Sequence, residues 1–255
     1  MTPREKISAA VSNAPHGTAI VAFITAGFPS REKFREHLTQ VGNAADVVEI
    51  GVPFTDPMAD GMTIQRSSRE ALRQGFSLRW LLGELAAMQR PKAPLVLMSY
   101  LNPLLSYGFA DLAAAAANAG VCGFIIPDLP LEESADFRKA LDTHGLALIQ
   151  MVTPVTPPGR LAKLCAASQG FVYAVTMTGT TGRTAAVPGE VTQYLDAVRA
   201  ASAIPVCAGF GIRGREQVAQ LKGHVAGVIV GSALVEVLES GQDAAAFLQG
   251  LRPGA

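Results

Sequence analysis

What the chain lacks narrows it first. It has three cysteines in 255 residues, Cys122, Cys165 and Cys207, with no CxxC spacing, which supports neither a disulfide framework nor a zinc knuckle. Charge is sparse and balanced: 16% of residues are charged, and 21 Lys plus Arg face 21 Asp plus Glu. No net field therefore draws the chain to nucleic acid or to an anionic membrane. Long apolar runs are missing too. The most hydrophobic late stretch, 225–238, is too short to cross a bilayer and contains Glu236, and the first 14 residues hold no continuous apolar segment of the secretory kind. A reducing, cytoplasmic setting is expected, with no nucleic-acid or membrane partner.

What is present is material for a large core and a repeating pattern. Apolar residues make up 49% of the chain, which fits a compact globule with much of its length inside. An amphipathic N-terminal helix, with Ile7, Ala10 and Val11 at helical spacing, is expected to plug a barrel bottom or cap the core. Short β-rich apolar runs then fall at 19–25, 46–50, 94–98, 123–126, 146–152, 170–175, 204–208 and 225–230. Helical stretches follow at 31–41, 63–74 with 78–90, 109–119, 131–144, 158–166, 191–200, 213–221 and from 233. Near-continuous apolar strands alternating with helices mean parallel strands covered on both faces. Eight such units fit an α/β fold, a single (β/α)8 TIM barrel spanning 1–255 with an extra N-terminal helix. A doubly wound sheet would carry GxGxxG after its first strand, whereas the turn at 25–30 reads TAGFPS.

In such a barrel, function sits where the strands end. None of the six lysines and none of the four histidines falls at a predicted strand end, so Schiff-base and histidine acid–base chemistry are unsupported. Carboxylates remain. Glu49 shares a strand face with Val47, opposite Val48 and Ile50. A desolvated acid there would have its pKa raised towards the range of a general acid or base. Pairing with an arginine at the rim is the alternative, and acids buried in mid-strand are rare without a partner or a function. Asp60, in Ala-Asp-Gly, reads equally well as a functional acid or an Asx-turn, and Asp56 before Pro57 reads as a turn residue. Other strand ends offer Thr25, Ser99, Tyr100, Asn102, Asp128, Gln150, Thr153, Tyr173 and Thr176. The turns GFGI at 209–212 and VGSA at 230–233, with Thr181 and Gly182 in the preceding long loop, let backbone N–H groups approach a phosphate at helix N-termini. Ordinary strand-to-helix turns use the same glycines. The loop 176–188 reads as a lid or binding loop, or as surface slack.

The stretches VEIGVPFTDPMADGMTIQ, SYLNP, IIPDLPLEES, GFVYAVTMTGTTG, VCAGFGI and VIVGSAL, in that order and spacing, resemble the tryptophan synthase alpha subunit family along essentially the whole chain. The resemblance implies retro-aldol cleavage of indole-3-glycerol phosphate to indole and glyceraldehyde 3-phosphate, with no cofactor and no metal. By motif position it implies Glu49 as the main acid–base residue, Asp60 as the partner of the indole N–H, and Tyr173 packed against Glu49 to orient it. Phe23, Ile64, Leu129 and Phe210 are implied for the indole slot, with Tyr100 a further substrate contact. Thr181, Gly182, Gly209, Gly211, Gly231 and Ser232 would hold the phosphate. A pyridoxal-phosphate beta subunit would consume the indole within an alpha2beta2 heterotetramer, with 53–60, 176–188 and the neighbourhood of Asn102 at the interface. Two departures from the family bear on partner contacts rather than on the acid. Met62 stands where proline is common, and Thr180 stands where an apolar residue is frequent. A standalone lyase, a non-catalytic phosphate-binding barrel, and a metal-dependent lyase using Glu49, Asp56 and Asp60 are the competing readings.

Overall fold

A computed structural model of the chain describes residues 1–176, 187–209 and 211–252. Eight strands, β1 (Ala19–Thr25), β2 (Val47–Gly51), β3 (Leu95–Met98), β4 (Val121–Ile125), β5 (Ala147–Val152), β6 (Val172–Val175), β7 (Val206–Gly209) and β8 (Gly227–Val230), close into a barrel in sequence order. Every neighbouring pair is parallel, including β8 back to β1. Twelve α-helices accompany them among the described residues: α1 (Pro3–Ser12), α2 (Phe34–Ala44), α3 (Met62–Arg73), α4 (Leu78–Ala87), α5 (Leu101–Tyr107), α6 (Phe109–Asn118), α7 (Ala135–Asp142), α8 (Pro158–Ala167), α9 (Gly189–Ala201), α10 (Arg215–Leu221), α11 (Ser232–Glu239) and α12 (Ala244–Gly250). The expected fold class, with its extra N-terminal helix, is the observed one.

The strands explain why the sequence looked continuously apolar. Alternate residues send Val21, Val47, Ile125, Ile149, Cys207 and Ile229 into the barrel. The intervening residues Ile20, Val48, Phe124, Leu148, Ala208 and Val228 join the layer between barrel and helices. Two buried faces require apolar residues at both parities. Since Glu49 lies two residues beyond Val47, its side chain belongs to the interior.

Helix α1 closes the bottom. Thr2 and Glu5 form a reciprocal capping box at its start, Ser8 donates to the Gly170 carbonyl at 2.7 Å, and Arg4 bonds Asp142 at 2.7 Å. Ile7, fully buried, enters the barrel where Gly123 and Gly170 leave room. A Cβ at either position would stand 3.1 Å from the isoleucine side chain. The plug is therefore packing on glycine, which no larger residue at those positions would permit without a shift.

Three local readings change. The SYLNP stretch, which lies before the helix expected at 109–119, opens a helix of its own, α5, because Pro103 falls in the first turn, where a backbone N–H has no helical partner to lose. The helix expected over 131–144 splits into a 3-10 turn (Leu131–Glu133) and α7. There the Ser134 N–H and hydroxyl both bond the Leu131 carbonyl and break the register. The last helix is followed by a second, α12, whose N-cap Asp243 accepts from Ala246 N–H at 3.0 Å. After α12, Arg252 reaches back to the α2–β2 junction: it bonds Asp46 at 2.9 Å and the Ala44 carbonyl at 2.8 Å. Asp46 in turn accepts the Ile20 N–H at 2.7 Å.

Candidate active site

The site is built outward from β2. Glu49 pairs in register with Phe23 of β1 and Val96 of β3 and is 1% exposed. Neither of its carboxyl oxygens has a hydrogen-bond partner among the described residues. Burial, reinforced by the nearby negative charge of Asp60, raises its pKa to about 8. At neutral pH the carboxyl is predominantly protonated and can deliver a proton, and it lies close enough to neutrality to take one back. The rim-arginine alternative does not occur among the described residues, since none of their ion pairs includes Glu49.

The loop after β2 brings in the second acid. Asp60 is half-buried, and burial raises its pKa, opposed by a hydrogen bond with the Tyr100 hydroxyl. That hydroxyl also accepts the Ala59 N–H at 2.8 Å, while Phe54 stacks on the Tyr100 ring with centroids 5.3 Å apart. Burial drives the phenol pKa up to about 12, so Tyr100 serves as a neutral hydrogen-bonding post. Tyr100 is also the N-cap residue of α5, whose Leu101 N–H donates to Asp128 at 2.9 Å. The loops after β2, β3 and β4 are thus tied in one chain of bonds. The Asx-turn reading of Asp60 gives way to this arrangement: its carbonyl takes the Gln65 amide at 2.9 Å, and its carboxylate faces Tyr100. Asp56, on the exposed part of the loop, bonds the Thr55 hydroxyl, as a turn residue would.

Beside Glu49 lies an apolar cluster. Phe23, Phe28 and Val235 form a buried cluster, with Ile64 and Met98 packed against it. The Phe23 ring lies over Gly51, where a Cβ would come within 2.4 Å of it. Tyr173 packs with the inner cluster from β6. Burial first, then the proximity of Glu49, pushes its hydroxyl pKa far up. It leans over Gly209, where a Cβ would fall 2.9 Å from its ring and its oxygen.

The two glycine turns differ. Gly231 is half-buried and Ser232 begins α11 directly, so the N–H groups of that first turn open beside the Phe23 side of the site. After β7, Gly211 takes φ +67°, a conformation glycine adopts without strain, but α10 starts only at Arg215. The expectation that both turns open a helix is corrected there. Arg213 is held out of the helix, its N–H bonded to Gln217 at 2.8 Å and its guanidinium to Glu236 at 2.9 and 3.0 Å. Thr176 closes the ends of β6 and β7 by donating its N–H and hydroxyl to the Gly209 carbonyl at 3.1 and 2.7 Å.

Glu49, Asp60, Tyr100, Tyr173, Phe23, Ile64, Gly209, Gly211, Gly231 and Ser232 therefore all belong to the C-terminal mouth or the layer beneath it. Leu129 packs elsewhere, against the outer layer between strands and helices, and not with the Phe23 cluster. Thr181, Gly182 and Phe210 lie outside the described residues. Sequence reasoning passed over Phe54, Phe28, Met98 and Val235. Alternation from Val96 would have pointed Met98 inward, and an aromatic directly after Pro53 was the available signal for Phe54.

A parallel eight-stranded barrel carrying a buried, proton-bearing carboxyl at the mouth defines a barrel enzyme of the proton-transfer class. Comparison with known proteins narrows this. The family model described as tryptophan synthase alpha chain matches residues 10–251. Tryptophan synthase alpha chains from Nitratidesulfovibrio vulgaris (strain DP4) and Solidesulfovibrio magneticus are each 46% identical to it, over 233 and 232 residues, covering 91% and 90% of this chain and 91% of each relative. Among solved structures, tryptophan synthase from M. tuberculosis in an open form superposes with TM-score 0.87 at 33% identity, covering 98% of this chain and 97% of that one. Tryptophan synthase subunit alpha from Legionella pneumophila str. Paris gives 0.88 at 31%, covering 99% and 97%. The chain belongs to the tryptophan synthase alpha chain family. Its reaction is the alpha reaction of tryptophan biosynthesis, a carbon–carbon lyase cleavage of indole-3-glycerol phosphate.

Proposed function

We propose that Glu49 carries both proton transfers of this cleavage. Retro-aldol scission requires a proton at indole C3, which turns that carbon tetrahedral and leaves positive charge at the ring nitrogen. It then requires removal of the proton from the side-chain hydroxyl next to the C3 bond. As that O–H is lost, the C–C bond breaks, its electrons return to the ring, and indole and glyceraldehyde 3-phosphate separate. A protonated Glu49 supplies the first proton, and the resulting carboxylate takes the second, so the enzyme ends as it began. The observation that carries this assignment is an interior carboxyl without hydrogen-bond partners among the described residues, whose pKa is raised by burial to about 8.

The other roles follow from surroundings. Asp60, braced by Tyr100, faces the developing charge at the ring nitrogen. Tyr173 limits the rotamers of Glu49, and Phe23 with Ile64 flanks the indole ring. Gly231 and Ser232, with the N-terminus of α11, receive the phosphate together with the Gly209 and Gly211 turn. Of the five exposed large apolar side chains among the described residues, four, Met58, Met62, Leu105 and Val155, sit in loops or helices directly after strands. Such a gathering at the mouth supports docking of a beta subunit there, with an alpha2beta2 heterotetramer as the assembly and residues 1–255 as one barrel unit. No helix among the described residues is long and apolar enough to cross a membrane, and all three cysteines are free and buried. Both observations fit a cytoplasmic enzyme in a reducing compartment.

Indole release from indole-3-glycerol phosphate by the purified chain, alone and with a pyridoxal-phosphate beta subunit added, tests the reading. Indole should form slowly alone and severalfold faster with the partner. No indole in either arm would sink the lyase assignment, and equal full-rate turnover in both would replace the partner-dependent enzyme with a standalone one.

A further inference from the structure

The carboxylate of Glu236 joins three segments of the mouth that lie far apart in sequence. It sits on α11, one turn after Ser232, and directly follows Val235 of the Phe23 cluster. It takes both arms of the Arg213 guanidinium, at 2.9 and 3.0 Å, from the segment after β7. It also accepts the Thr63 hydroxyl at 3.3 Å, from the first turn of α3. Thr63 precedes Ile64, which packs against the Phe23 cluster. One side chain thus ties together the segments that follow β2, β7 and β8.

This is more than a surface ion pair. Two parallel bonds from a planar guanidinium fix angle as well as distance, which a lysine in that place would not do. Glu236 is half-buried, and the Arg213 bonds above all hold its carboxyl below the usual carboxylate range, so it stays charged at neutral pH. Arg213 lies ahead of α10, outside the helix, in a segment that begins with Gly211 at positive φ. Such a segment has little rigidity of its own. A second clamp isolates what Glu236 adds: Arg66 of α3 grips Glu239 of α11 with two bonds. The tie between α3 and α11 is therefore doubled, while the tie from both of them to the segment after β7 runs through Glu236.

We propose that Glu236 is a positioning residue for the cleavage: through Arg213 and Thr63 it fixes the phosphate end of the site relative to the ring end. The proposal rests on the reading that the Gly211 turn and Ser232 receive the phosphate while Ile64 flanks the indole. The reacting carbons of the substrate lie between its ring and its phosphate. A rigid span between the two ends therefore sets where those carbons stand before Glu49, and small misplacements of reacting atoms are costly in rate. Glu236 moves no proton in the reaction and holds no part of the substrate. It acts on the segments that do.

A double-mutant cycle on the full chain, with the beta subunit present, tests this. Glu236→Ala and Arg213→Ala should each lower kcat/KM for indole-3-glycerol phosphate about fivefold, the scale of one well-formed ion pair near the surface. The double variant should lose no more than either single one, because both remove the same tie. Indole and glyceraldehyde 3-phosphate each engage one end only, so their dissociation constants should stay within about twofold of the parent in all three variants; damage to the local structure would weaken them too. Unchanged kcat/KM in the single variants, losses that add in the double variant, or fragments weakened as much as the substrate would overturn the proposal. So would opposite signs, a loss for Arg213→Ala and a gain for Glu236→Ala, which would make Arg213 a charge acting on the phosphate. Ser232→Asp sets a carboxylate at the phosphate end and should abolish glyceraldehyde 3-phosphate binding. Binding that survives it would refute the phosphate assignment itself, separately from the brace.

Discussion

The two ends of the barrel are made from the same strands and obey opposite rules. At the bottom, α1 satisfies its polar groups through a capping box and bonds to Gly145, Gly170 and Asp142, and it fills the interior with Ile7 and Val11. At the mouth, the same interior surface ends on Glu49, whose carboxyl has neither bond nor counter-ion among the described residues. One end accumulates contacts; the other holds a group that burial disfavours. The contrast teaches that the reactivity of Glu49 and the stability of the barrel have a common physical source, exclusion of water, used with opposite sign.

Several measurements would sharpen or break that contrast. The largest effect is expected at the mouth: Glu49→Gln should lower cleavage by about 10³-fold, the central range for loss of a positioned acid–base group, while substrate binding changes little. Retained turnover would remove Glu49 from the proton path. Next comes the bottom, where Ile7→Ala should cost about 2–5 kcal/mol in urea unfolding and leave cleavage per folded molecule unchanged. An equal loss of activity would mean that the plug and the mouth are coupled.

A third measurement links the two ends through pH. Glu49 carries its proton in the folded state up to about pH 8 but releases it near 4.5 when unfolded. Across that window the folded state binds more protons, so stability contributed by the neutral buried carboxyl falls as pH rises through it. Glu49→Gln does not titrate. Its unfolding free energy should match the parent near the acid end and exceed it increasingly towards the alkaline end, by a few kcal/mol at most. A constant difference across the window would place the Glu49 pKa at its ordinary value. The smallest effect is expected for Tyr100→Phe, which removes the bonds to Ala59 N–H and Asp60. A fall of about fivefold to tenfold in kcat/KM corresponds to one such interaction, and no change would show that Asp60 needs no brace.

The barrel was legible because parallel strands buried on both faces write themselves as short apolar runs, and all eight were found at their places. Glu49 was legible for the converse reason, a carboxyl interrupting such a run. Helix α5 was hidden by Pro103, whose usual meaning as a breaker fails in a first helical turn. The late start of α10 was hidden because it depends on Arg213 gripping Glu236, a contact between residues 23 apart in the chain. Leu129 could not be assigned to the outer layer from sequence, since the loop after β4 has no alternation to read. Nor could Asp46 be recognised as a buried anchor, because its partner lies 206 residues away.

That last pair sets a condition on how the molecule is made. Asp46 precedes Arg252 by 206 residues, so the strand bearing Glu49 is synthesised well before the guanidinium that neutralises the residue just ahead of it. With both side chains about nine-tenths buried in the finished barrel, burying Asp46 without Arg252 would leave a lone charge out of water, which costs several kcal/mol. Burial of the residue just before β2 is thereby coupled to docking of the segment that follows α12.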